Sequence, residues 1–127
     1  MRAENRRAGT YNATGAEDGL TFGEMLEEIR RTSGSDAEFI WASEEFLEES
    51  SVEAWSEMPL WLPEEYNGIF EVKNDKATAD NLKFRPLAES IKDVLKDVAA
   101  HPPDKKLRAG MEAEREKKLI IMLLSLK

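Results

Sequence analysis

Apolar residues in the stretch 22–32 recur three and four apart, so Phe22, Met25, Leu26 and Ile29 share one buried face of a predicted helix. Thr21 and Glu24 have capping-box spacing, in which each side chain satisfies a free amide at the helix start. Leu20 and Met25 sit where a hydrophobic staple closes over that cap. Arg30 and Arg31 suit the negative C-terminal end, and Gly34 stops the helix. A second stripe, Leu87, Ile91, Val94, Leu95 and Val98, predicts a buried helix face beginning near Pro86. It ends at His101-Pro102-Pro103, because a residue before proline is driven out of the helical region.

Shorter helices complete the pattern. Ser43 caps one that carries Glu44 and Glu45 in its first turn and buries Phe46 and Leu47. Asn74 caps another through Ala77 and Ala79, and a last helix spans 112–124 after a linker over 104–110. Residues 2–8 read as the exposed end of a helix that Gly9 terminates, and 16–19 as a polar loop. Three segments have strand character instead. Residues 10–14 are rich in β-branched and aromatic types, 39–42 form a short apolar run between polar residues, and 69–72 follow Gly68. Strands alternating with helices predict an α/β packing, an α+β fragment of short strands and helices. Residues 55–63 obey neither period: Trp55, Met58, Leu60, Trp61 and Leu62 lie on a proline-bounded stretch.

The chain has 127 residues, the length of one domain, with 1–8 and 104–127 peripheral to it. Apolar residues at 41% are too plentiful for wholesale disorder. The longest apolar run, residues 119–124, is far short of the ~20 residues of a membrane helix. The first residues lack the apolar stretch of a signal peptide and cysteine is absent, so a cytoplasmic protein is expected.

Net charge is −8, unevenly spread. Residues 36–72 hold eleven acids and no base, while 73–127 hold thirteen bases and nine acids. An acidic middle works against phosphate backbones, so nucleic acid is an unsuitable partner. No Asp-x-Asp-x-Asp-Gly calcium pattern occurs, and the acidic stretch reads as a solvated surface.

Catalytic constellations are scarce. The sequence has no Gly-x-Gly-x-x-Gly and no phosphate-binding loop ending in Gly-Lys-Ser/Thr. His101 is the sole histidine, too few for a histidine metal site, and it suits the end of a helix. No catalytic, cofactor-binding or metal-ligating residue is assigned. Trp55, Leu60 and Trp61 on their non-periodic loop can wall a ligand pocket, or can simply cover the core beneath a long loop.

The run Gly9-Thr10-Tyr11-Asn12-Ala13-Thr14-Gly15, followed by Leu20-Thr21-Phe22-Gly23-Glu24, resembles the C-terminal half of extended short-chain dehydrogenase/reductases. More narrowly it is similar to bacterial NAD-dependent epimerase/dehydratase-type reductases. The resemblance continues through Phe39-Ile40-Trp41-Ala42-Ser43-Glu44-Glu45-Phe46-Leu47, Pro59-Leu60-Trp61-Leu62-Pro63, Asn74-Asp75-Lys76-Ala77 and Phe84-Arg85-Pro86-Leu87-Ala88-Glu89. It covers about residues 9–116, and the segment from Leu119 onward departs from it.

The resemblance implies a substrate-side portion whose NAD(P) site and Tyr-x-x-x-Lys pair lie elsewhere. Tyr11 is followed four residues later by Gly15, and Tyr66 by Phe70, so neither supplies that pair. On this reading residues 10–14 are the last strand of a Rossmann sheet, the chain is a fragment, and it holds no cofactor by itself. Trp55, Leu60 and Trp61 line the substrate side. Arg85 meets an anionic or polar substrate group, or is a surface arginine beside a helix start. The expected partner is the absent Rossmann portion or a second copy in a dimer. The competing expectation is a non-catalytic acidic interaction module.

Overall fold

The computed structural model describes residues 8–15, 19–104 and 106–126. Among these residues the chain is helical and has no strand: α1 (Phe22–Ser33), α2 (Glu44–Glu49), a 3₁₀ helix (Glu64–Phe70), α3 (Asp75–Ala79), α4 (Leu87–Ala100) and α5 (Ala113–Ser125). The expected α/β class is therefore wrong. A strand exists only through a hydrogen-bonded neighbour, and the three segments expected as strands have none.

Each segment is held another way. Side chains of the α3 region tether residues 10–14: Lys76 Nζ donates to the Thr10 carbonyl at 2.9 Å, and Asn74 Nδ2 to the Thr14 carbonyl at 2.9 Å. Tyr11 Oη donates to the Asp80 carboxylate, and the Lys76 ammonium lies 4.6 Å from the Tyr11 ring centre. Residues 39–41 run over α1. The Arg30 guanidinium stands 5.4 Å from the Phe39 ring centre, and Trp41 approaches Gly23 so closely that an added Cβ there would touch its ring at 3.5 Å. Residues 69 and 70 close the 3₁₀ helix, which starts behind Pro63 with two glutamates in its first turn. The expected helix end over 2–8 lies outside the described residues apart from Ala8.

The ends of α1 and α2 follow their sequence signals. Asn74, expected to cap α3, instead makes no cap hydrogen bond and donates to the Thr14 carbonyl, and the face of α1 expected to be buried has no buried residue. Thr21 and Glu24 form the capping box: Glu24 N–H donates to Thr21 Oγ1 at 3.2 Å, and Thr21 N–H to Glu24 Oε2 at 2.8 Å. Gly34 adopts the left-handed conformation (φ 68°) at the other end of α1. Ser43 caps α2 by accepting from Phe46 N–H at 3.2 Å.

α1 packs against α4 in the most extensive helix contact of the described chain. The buried stripe expected on α4 is only partly buried, however. Ile91 is buried, whereas Val94, Leu95 and Val98 face solvent. The main apolar cluster lies elsewhere, at Phe46, Leu47 and Val52, with Met58 and Trp61 from the irregular loop and Met111, Leu119 and Leu123 from the α5 region packed on it.

This core is thin for the chain's size. The accessible surface is 10496 Å², where a compact 14.4 kDa monomer exposes about 6,800 Å². Much of that surface is apolar, because Leu20, Ile40, Trp41, Trp55, Ile69, Phe70 and the outer face of α5 are all exposed. No helix of the described chain is long and apolar enough to cross a membrane.

Candidate functional site

The proline-bounded loop is irregular but closely tied. Ala54 and Met58 form an isolated bridge, Trp55 N–H donates to the Trp61 carbonyl at 3.2 Å, and Trp61 N–H donates to the Met58 carbonyl at 3.2 Å. Those bonds require left-handed backbone at two large residues, Trp55 (φ 66°) and Leu60 (φ 67°). A side chain with a Cβ is strained there by roughly 1–2 kcal/mol. Trp55 and Leu60 both point outward, while Trp61 turns in to the Phe46–Leu47–Val52 cluster.

Trp55 is 50% exposed and lies against Phe70 with ring centres 6.4 Å apart and planes 25° apart. Phe70, 52% exposed, ends the 3₁₀ helix, on which Tyr66 and Ile69 are exposed as well. The start of that helix is fastened to α2, since Glu64 N–H donates to Glu44 Oε2 at 2.9 Å. The underside of the loop is fastened to the α5 region: Gly110 N–H donates to the Ser56 carbonyl at 2.7 Å, and Arg115 grips Glu57. Arg115 also donates to the carbonyls of Ser50 and Ser51 behind α2, at 3.2 and 3.0 Å. The Glu57 carboxyl is held below its ordinary 4.5, chiefly by the Arg115 hydrogen bond and next by the Glu53 N–H.

Trp55, Leu60 and Trp61 thus share one loop, but only the first two present their side chains outward. Arg85 belongs to the start of α4: its Nη1 pairs with Asp93 at 2.6 Å and its Nε donates to Ser90 Oγ at 3.1 Å. His101 closes the other end of α4, its Nδ1 3.2 Å from the Asp97 carboxylate.

Two participants escaped sequence reasoning. Phe70 was expected within a strand, and its contact with Trp55 is set by a 3₁₀ helix that hydrophobic periodicity does not mark. Arg115 acts across 58 residues, and no local spacing links it to Glu57. Among the described residues, no three His, Asp or Glu side chains converge as a metal site.

Set against family models, curated proteins and solved structures, the chain matches none.

Proposed function

We propose that this chain is the substrate-side portion of an NAD(P)-dependent reductase or epimerase, without catalytic activity of its own, working against a nucleotide-binding portion. The observation that carries the reading is unpartnered surface. An exposed area about half again that of a compact monomer, rich in apolar side chains on α1, α4, α5 and the Trp55 loop, fits a body that completes its fold against another. The residues resembling extended short-chain reductases supply the identity of that other body. In such an enzyme the cofactor carries the hydride, and protein groups hold and orient the substrate.

The test has two arms. Calorimetric titration of this chain with NAD and NADP is expected to give no binding, because the glycine-rich turn that holds a pyrophosphate on a helix N-terminus is not in these 127 residues. The longest reading frame containing these residues, expressed and assayed for nicotinamide oxidation, is expected to be active. Micromolar NAD(P) binding by the chain alone, or a longest frame without oxidoreductase activity, would overturn the reading. The second outcome would favour a non-catalytic acidic interaction module, to which the base-free stretch 36–72 already lends some support.

A further inference from the structure

The Trp55–Phe70 pair has a charge setting that the proposed function, which counts only its exposed apolar area, does not use. Between Arg31 and Lys73 the sequence has no Lys, Arg or His, and eleven acidic residues fall in that interval. The exposed aromatic pair lies within it. Glu53 sits two residues before Trp55, Glu71 directly after Phe70, and Glu64 and Glu65 open the 3₁₀ helix that carries Phe70. With three residues per turn, Glu64 and Phe70 fall on the same side of that helix. Glu57 is already neutralised by Arg115 and does not count toward the surplus charge.

Indole and phenyl faces carry negative quadrupole potential and attract cations, Arg above all. Carboxylates around them add to that attraction and repel acidic partners. Trp55 is also held at positive φ while half of it stays in water, so its outward aim is not the result of burial. Trp55 and Phe70 each leave about half of their surface in water, so the pair presents an exposed aromatic surface of the kind that marks interaction sites.

We propose that the Trp55–Phe70 surface docks an arginine-rich segment of a partner protein, guanidinium groups lying over the two rings and pairing with Glu64, Glu65 and Glu71. Charge complementarity selects this occupant: an apolar partner would leave the carboxylates without counter-charge, and an acidic one would be repelled. The proposal is independent of the reductase reading, and it assigns the Trp55 ring to a partner's cation in place of a small substrate.

The experiment titrates the full chain with a short oligoarginine peptide, with an oligoglutamate and a neutral leucine–serine peptide as controls, at low and physiological salt. Oligoarginine alone is expected to bind, more weakly as salt rises. Trp55→Ala and Phe70→Ala are each expected to weaken binding about threefold to thirtyfold. The triple variant Glu64→Gln, Glu65→Gln, Glu71→Gln leaves the aromatic pair in place, keeps the test open if a ring variant unfolds, and is expected to abolish most of the salt dependence. Any of three results would overturn the proposal: oligoarginine binding unchanged in Trp55→Ala at every salt concentration, tighter binding of the neutral peptide, or self-association of the peptide-free chain that Trp55→Ala removes, which would make a second copy the occupant.

Discussion

Arg115 holds Glu57 with two nitrogens, Nε at 2.5 Å from one carboxylate oxygen and Nη2 at 3.2 Å from the other. That same Nη2 reaches the carbonyls of Ser50 and Ser51, so one guanidinium joins α5, the end of α2 and the irregular loop. Only a planar fork offers donors in this arrangement. Arg115→Gln is therefore expected to lower stability by about 1–2 kcal/mol through the lost carbonyl contacts alone. Arg115→Lys should recover little of it. Urea unfolding measures both, and hydrogen exchange along α5 should quicken in both variants.

The pH dependence of stability follows from three carboxyls held below their ordinary 4.5. Glu24 is lowered first by the Thr21 N–H, Glu28 first by Arg31, and Glu57 first by Arg115. A carboxyl depressed in the folded state contributes stability that is complete above its unfolded value and is lost as pH falls through its folded value. Unfolding free energy is thus expected to be insensitive to these three groups above about pH 5 and to decline in the acid range below 4.5. Glu57→Gln should flatten part of that decline, which circular dichroism at stepped pH would register. An acid limb of the same steepness in the variant would mean that the Arg115 clamp does not supply it.

Leu60 offers a test of backbone strain. It is exposed and sits at φ 67°. Glycine meets no Cβ penalty there, a gain of roughly 1–2 kcal/mol, against about 0.5–1 kcal/mol for the extra freedom of the unfolded chain. Leu60→Gly should accordingly raise stability by up to about 1.5 kcal/mol in thermal or urea unfolding. Destabilisation would show that the Leu60 side chain makes contacts that outweigh the strain.

The α-helices, unlike the 3₁₀ helix, were readable from sequence because their signals are local. Thr21, Glu24 and Gly34 mark the ends of α1 by spacing alone, and Ser43 does the same for α2. Strand character is different, since β-branched and aromatic residues describe what suits a half-buried pleated surface and cannot supply the neighbouring strand. Residues 10–14 have that composition, yet their carbonyls accept from Asn74 and Lys76 side chains. At the site, the sequence singles out the apolar loop but not the aim of its side chains: Trp55 and Leu60 face outward, and Trp61 packs on the core. The partners Phe70 and Arg115 depend on chain distant from it, which no periodicity encodes.

Self-association of the isolated chain is the last expectation. The strand edge that would have paired two copies does not exist here, so the route left is side-chain burial. Val94, Leu95 and Val98 form an exposed stripe on α4, beside a helix pair whose α1 member also leaves Ile29 partly in water. Burying about 400 Å² of apolar area contributes on the order of 10 kcal/mol before the entropy of association is subtracted. A net charge of −8 opposes this, but repulsion between exposed charges is largely screened beyond about 8 Å at physiological salt. Association should therefore strengthen as salt is raised, the reverse of the oligoarginine interaction. Light scattering at micromolar concentration is expected to show a dimer, and Val94→Glu with Val98→Lys to return it to a monomer with α4 intact by circular dichroism. A wild-type monomer at every salt concentration would show that the thin core of this chain suffices without a second body, and would weigh against the reading of it as one portion of a larger enzyme.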